Sequence, residues 1–98
     1  MFEVIESDVF QAWMSELRDQ QARNRIAARI TRLAQGNFGD WKAIQGAVSE
    51  MRIDHGPGYR VYFTRRGAKL ILLLCGGDKR TQATDIKRAL KMVDELED

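Results

Sequence analysis

The sequence predicts a single α+β domain running strand, two helices, three antiparallel strands, helix, and three observations predict it. Apolar residues recur at helical spacing in the first third of the chain, at Val9, Phe10, Trp13, Met14 and Leu17 and again at Ala22, Ile26, Ile30 and Leu33. The period then drops to two between Val48 and Thr64. It returns to helical spacing at Ile86, Ala89, Leu90, Val93 and Leu96.

Each element has its own signals. Phe2 to Ile5 is short and β-favouring, and Glu6-Ser7-Asp8 closes it and opens a helix, with Ser7 as N-cap and Asp8 in the first turn. A break near Asp19 and Gln20 separates this helix from the next, which should stop at Gly36 and Asn37, so the two form a helical hairpin. Asn37 to Trp41 reads as a turn-rich connection. In the following strand Ser49, Met51 and Ile53 face one way, and Val48, Glu50 and Arg52 the other. His55-Gly56-Pro57-Gly58 makes the hairpin turn, after which Tyr59, Val61 and Phe63 oppose Arg60, Tyr62 and Thr64. A turn over Arg65 to Ala68 leads into Lys69 to Cys75, whose aliphatic run suits a strand covered on both sides. Gly76 and Gly77 are expected to end it, Thr81 to cap the last helix, and the acidic tail of that helix to fray against its dipole.

With 98 residues the chain holds one core, assigned as one domain over 1–98. Its 44% hydrophobic and 31% charged content suits a globular protein rather than a disordered one. The longest apolar run, Leu70 to Cys75, falls far short of the ~20 residues of a membrane-spanning helix, so no membrane partner is expected. The N-terminus shows no secretory pattern, and the single cysteine, Cys75, cannot form an internal disulfide; both favour the cytoplasm. Net charge is only +2, yet Arg18 to Val93 carries 16 basic and 6 acidic residues, a local excess of +10 that favours a polyanionic partner. No Cys pairs, His clusters or phosphate-loop spacing support a metal or nucleotide cofactor, so none is expected.

The segments Gly36-Asn37-Phe38-Gly39-Asp40-Trp41-Lys42, Glu50-Met51-Arg52-Ile53, Gly56-Pro57-Gly58-Tyr59-Arg60-Val61-Tyr62-Phe63 and Gly76-Gly77-Asp78-Lys79, with Gln82 and Asp85-Ile86, resemble the phage-derived addiction-module killer proteins, a HigB-like branch of the RelE/ParE toxin superfamily. The resemblance spans nearly the whole chain. It implies a RelE/ParE-like fold, with the N-terminal strand and helical hairpin packed on an antiparallel sheet beside a C-terminal helix. It also implies the toxin component of a type II toxin-antitoxin system that associates with a cognate helix-turn-helix antitoxin in a hetero-oligomer. RelE-like members cut messenger RNA on the ribosome without metal, the RNA's own 2′-hydroxyl attacking the adjacent phosphate. Other members of the superfamily poison DNA gyrase, and some have lost activity and only bind antitoxin.

Cleavage of that kind needs cations around the phosphate and groups that take and give protons. By alternation Arg52 and Arg60 share a side of neighbouring strands, and arginine forks onto phosphate oxygens without acting as a base. Lys79, after the glycine pair, matches the killer-protein motif, and a lysine among cations can join in proton transfer. Arg60, Lys79 and Arg52 are therefore the catalytic candidates, each weighed against a plain solvated cation. Lys42, Tyr62, His55 and Arg80 are candidates for RNA contact: Tyr62 to stack on a base, and His55, as the only histidine, competing with a simple turn role. Tyr59 reads as core. Arg25, Arg29 and Arg32 share one side of the second helix and face RNA, an acidic antitoxin segment or solvent.

Two departures from the RelE pattern bear on activity. Glu50 and Arg52 stand where active nucleases carry two basic residues, and Asp85-Ile86 falls near the family's C-terminal tyrosine or histidine. Lys79, His55 or Asp85 would then have to move the proton, or the chain does not cleave RNA as RelE does.

Overall fold

The computed structural model describes residues 1–96, and its elements follow the predicted order with two additions, a strand and a 3-10 turn. They are β1 (Glu3–Glu6), α1 (Asp8–Glu16), α2 (Gln20–Ala34), β2 (Trp41–Gln45), β3 (Val48–Ile53), β4 (Tyr59–Arg66), β5 (Leu70–Asp78), one 3-10 turn (Lys79–Thr81) and α3 (Gln82–Leu96). The acidic tail continues through Glu97 and Asp98, so the fraying expected there lies partly outside the described residues.

The Ser7 cap of the first helix forms as the sequence suggests. Ser7 accepts from the Phe10 amide at 3.0 Å and donates its own hydroxyl to the Leu74 carbonyl at 2.6 Å, which ties the start of α1 to the sheet. Asp19 caps α2 through the Gln21 and Ala22 amides. The last helix differs. Asp78 caps the 3-10 turn that leads into it, and Thr81, expected as the helix cap, takes the reciprocal place in that turn's capping box.

The strands form one mixed sheet in the order β1-β5-β4-β3-β2. The sheet is thus not wholly antiparallel: β1 pairs in parallel with β5, Val4 opposite Ile71 and Ile5 opposite Leu72. The fifth strand, β2, begins at Trp41, where the expected connection ends, and occupies a stretch before Val48 to which the sequence assigned no element. It is an edge strand with most residues exposed, and so lacks the alternating apolar pattern that would reveal it.

Helices α1 and α2 cover one face, where Phe10, Ile26, Leu33, Met51, Val61, Phe63, Ile71 and Leu73 make the larger core. Helix α3 covers part of the other, over Val48, Tyr62, Leu74 and Cys75. The register between β4 and β5 shifts by one residue after Tyr62, so Leu74 and Cys75 both serve the smaller core while Leu73 serves the larger.

Gly76 and Gly77 do not end the strand; they lie inside β5, opposite Val61 and Arg60. Their missing side chains admit neighbours to bare backbone. A Cβ on Gly76 would run into the Trp13 ring on one face, and one on Gly77 would run into the Asp85 carboxylate on the other. Gly77→Ala is expected to cost about 3 kcal/mol, the upper end for overpacking, read as a lowered urea midpoint at unchanged slope. Gly76→Ala should behave alike, through Trp13.

Candidate functional site

The end of the sheet where β3 turns into β4 and β5 runs into α3 carries the chain's clearest concentration of chemistry. A groove of about 420 Å³ there is lined by Asp40, Arg52, Ile53, Asp54, Gly58, Tyr59, Arg60 and Lys79. Arg52 and Arg60 are direct cross-strand partners on β3 and β4. Lys79 reaches the same groove from the start of the 3-10 turn, its Cβ 3.6 Å from the place a Cβ on Gly58 would occupy. The three catalytic candidates therefore share one groove.

Two like charges facing each other across strands repel, and here each arginine has its own carboxylate. Arg52 Nη2 donates to Asp40 Oδ1 at 2.8 Å. Arg60 Nη1 lies 3.4 Å from Glu50 Oε2, a carboxylate with no exposed surface. Glu50 also accepts from Gln82 Nε2 at 2.9 Å, which joins it to the first turn of α3. Among the described residues Lys79 has no ion-pair partner. The groove thus presents three cations and two lining carboxylates, Asp40 and Asp54.

Arg29 holds the wall of this groove. Its guanidinium donates to the backbone carbonyls of Arg52 at 2.6 Å, Asp40 at 3.1 Å and Phe38 at 3.3 Å, pinning the Phe38–Asp40 loop to the end of β3. Burial pulls its pKa below the usual arginine value; Asp40 opposes the shift and Arg32 adds to it. Of the three arginines on that side of α2, Arg29 is therefore structural, while Arg25 and Arg32 are exposed along a neighbouring groove with Asn24 and Ala28.

The remaining candidates separate. Lys42 is exposed and lies opposite Glu50, on the sheet face of Arg52 and Arg60. Arg80 is exposed and contacts Asp78, with its amide on Oδ1 at 2.8 Å and Nη2 on Oδ2 at 3.3 Å. Tyr62 has no exposed surface beneath α3, so its ring has no face free for a base, contrary to the stacking role expected from alternation. Burial first, and Glu50 second, push its phenol pKa far up. Tyr59, read as core, packs edge-on to Trp13 and also lines the groove.

His55 is held away by Asp19, Nε2 to Oδ2 at 3.0 Å, and does not line the groove. Asp85 sits under Gly77 and accepts from Thr81 Oγ1 at 2.5 Å. Of the three residues considered for proton transfer, Lys79 alone reaches the groove. The groove carboxylates Asp40 and Asp54 and the Glu50–Gln82 contact escape sequence reading, because they depend on the β2–β3 register and on where α3 is seated. Among the described residues no cluster of His, Cys, Asp and Glu is arranged to hold a metal ion, and no helix is long and apolar enough to cross a membrane.

The fold and groove define a small α+β protein with paired arginines and a lysine at one end of a five-stranded sheet. A family model described as "Phage derived protein Gp49-like (DUF891)" matches residues 12–95. A Haemophilus influenzae protein described as "Uncharacterized protein" is 49% identical over 87 residues, which cover 89% of this chain and 88% of that protein. The chain belongs to the Gp49-like family of phage-derived proteins, a family that includes addiction-module toxins of the RelE/HigB type.

Two outcomes follow from the titrating groups. Burial, with Asp85 second, pushes the Cys75 thiol up to about 12, so Ellman's reagent should leave it unmodified near pH ~8 until the protein is unfolded. The His55 contact, followed by the Ala22 amide, holds the Asp19 carboxyl below its ordinary value of 3.8. A lowered folded pKa gives stability that is present above the ordinary value and lost as pH falls through the folded one. Asp19→Asn should therefore flatten the acid limb of a stability-against-pH curve below about pH 4.

Proposed function

We propose that the chain is the toxin component of a type II toxin-antitoxin system of the RelE/ParE superfamily, acting in the cytoplasm as a metal-independent, ribosome-dependent messenger RNA endonuclease. The observation that carries this reading is the convergence of Arg52, Arg60 and Lys79 on one groove. A phosphodiester held there is flanked by two guanidinium forks, which suit its non-bridging oxygens and the charge that develops on them. In the reaction the 2′-hydroxyl oxygen bonds to phosphorus as the bond from phosphorus to the 5′-oxygen breaks, giving a 2′,3′-cyclic phosphate and a 5′-hydroxyl. The 2′-hydroxyl loses a proton and the 5′-oxygen gains one. Lys79 is the groove's proton donor, and the exposed Asp54 carboxylate is its available acceptor.

Lys42 and Arg80 are assigned to flanking phosphates; Tyr62 and His55 are given no part in RNA contact. A cognate helix-turn-helix antitoxin is the proposed partner, and it restrains the toxin in a hetero-oligomer.

A second reading, a module that binds antitoxin without cleaving RNA, is favoured by one feature: Arg52 and Arg60 already face Asp40 and Glu50. In vitro translation with primer extension separates the two. Discrete cut sites that require ribosomes are expected, and Arg60→Ala should lower cleavage by about 100-fold or more and relieve growth arrest while the protein stays folded. Intact message would reject the endonuclease: without growth arrest it supports the antitoxin-binding module, and with growth arrest and stalled replication it points to gyrase.

A further inference from the structure

We infer that Glu50 is a positioning residue that acts through Arg60, with Gln82 of α3 steadying it from the other side. The inference deepens the reading above and rests on Arg60 as the group that holds the scissile phosphate. A fully buried carboxylate is costly to remove from water unless polar or cationic groups meet it. Val48, Tyr62, Leu74 and Cys75 make the core around α3, and Tyr62 lies opposite Glu50 on the neighbouring strand.

The two oxygens of Glu50 divide their contacts. Oε1 accepts from Gln82 Nε2 at 2.9 Å, and Oε2 faces Arg60 Nη1 at 3.4 Å. Gln82 is itself well placed, because the Asp85 carboxylate lies against the bare backbone of Gly77 and seats the start of α3 on the sheet. Gly77 is the cross-strand partner of Arg60, so helix, carboxylate and guanidinium meet around a single ladder position.

Arg60 consequently lines the groove with one nitrogen held inward, its side chain only 13% exposed and its Nε buried with no hydrogen-bond partner. Without Glu50, Arg60 would face Arg52 across the ladder with no charge behind it, and repulsion would drive its long side chain toward solvent. A cation fixed before the substrate arrives stabilises a transition state better than one that must be ordered during the reaction.

The test compares wild type, Glu50→Gln, Arg60→Ala and the double variant by single-turnover message cleavage on ribosomes, together with the Arg60 Nε–H signal in ¹⁵N NMR spectra. Glu50→Gln is expected to slow cleavage by about tenfold at unchanged ribosome affinity. The double variant should be no slower than Arg60→Ala, since Glu50 acts only through that residue. The Arg60 signal should be sharp in wild type and averaged in Glu50→Gln. Losses that multiply, or an Arg60 signal identical in the two proteins, would overturn the inference. If wild type left messages intact the endonuclease reading would fall, and the Arg60 signal would still decide whether Glu50 positions it. Should Glu50→Gln fold poorly, Gln82→Ala replaces it, with a smaller loss of the same pattern expected.

Discussion

Close approach of side chains to bare backbone at Gly76 and Gly77 holds the two sides of this protein in register. Trp13 lies against one glycine and Asp85 against the next, so α1 and α3 are both referenced to the same two residues of β5. That shared reference matters at the sheet's end, where Gly77 pairs with Arg60 and the chain leaves for Lys79 immediately beyond. Moving α3 outward by the width of a methyl group would shift Gln82 from Glu50 and Lys79 from the hairpin together.

The groove's electrostatics come from pairing more than from accumulated charge. A chain with a net charge of +2 holds two arginines face to face by giving each a carboxylate, one exposed from the Phe38–Asp40 loop and one buried beneath α3. The arrangement differs on its two sides. Asp40 lies at the surface, where solvent weakens the attraction and the pair can exchange for a ligand, whereas Glu50 is sealed in and cannot be displaced without disturbing α3.

Much of the architecture was legible because apolar period and burial coincide in α1, α2, β3, β4 and α3. The failures have physical causes. Trp41–Gln45 pairs only along one edge, so its side chains carry no burial pattern and nothing in its composition announces a strand. The glycine pair looked like punctuation because glycine's use as a site of close packing appears only once the packed residue is known. Tyr62 was assigned to the correct face of β4, but which part of that face α3 covers depends on the helix's path, which no local pattern encodes. The same limit hid Asp40, Asp54, Glu50 and Gln82 as neighbours of the arginines, while alternation alone sufficed to put Arg52 and Arg60 side by side.

The parallel pairing of β1 with β5 joins residues near the start of the chain to residues more than sixty positions later. A nascent chain emerges in order, so its first strand has no partner in this ladder until Leu70–Leu73 have been made, and contacts of such sequence separation form slowly. Truncated chains that stop before β5 would lack the ladder that seats α1, the backbone beside Arg60 and the lysine that follows. An unfinished copy of this protein should consequently have no formed groove until residues 70–79 have been added.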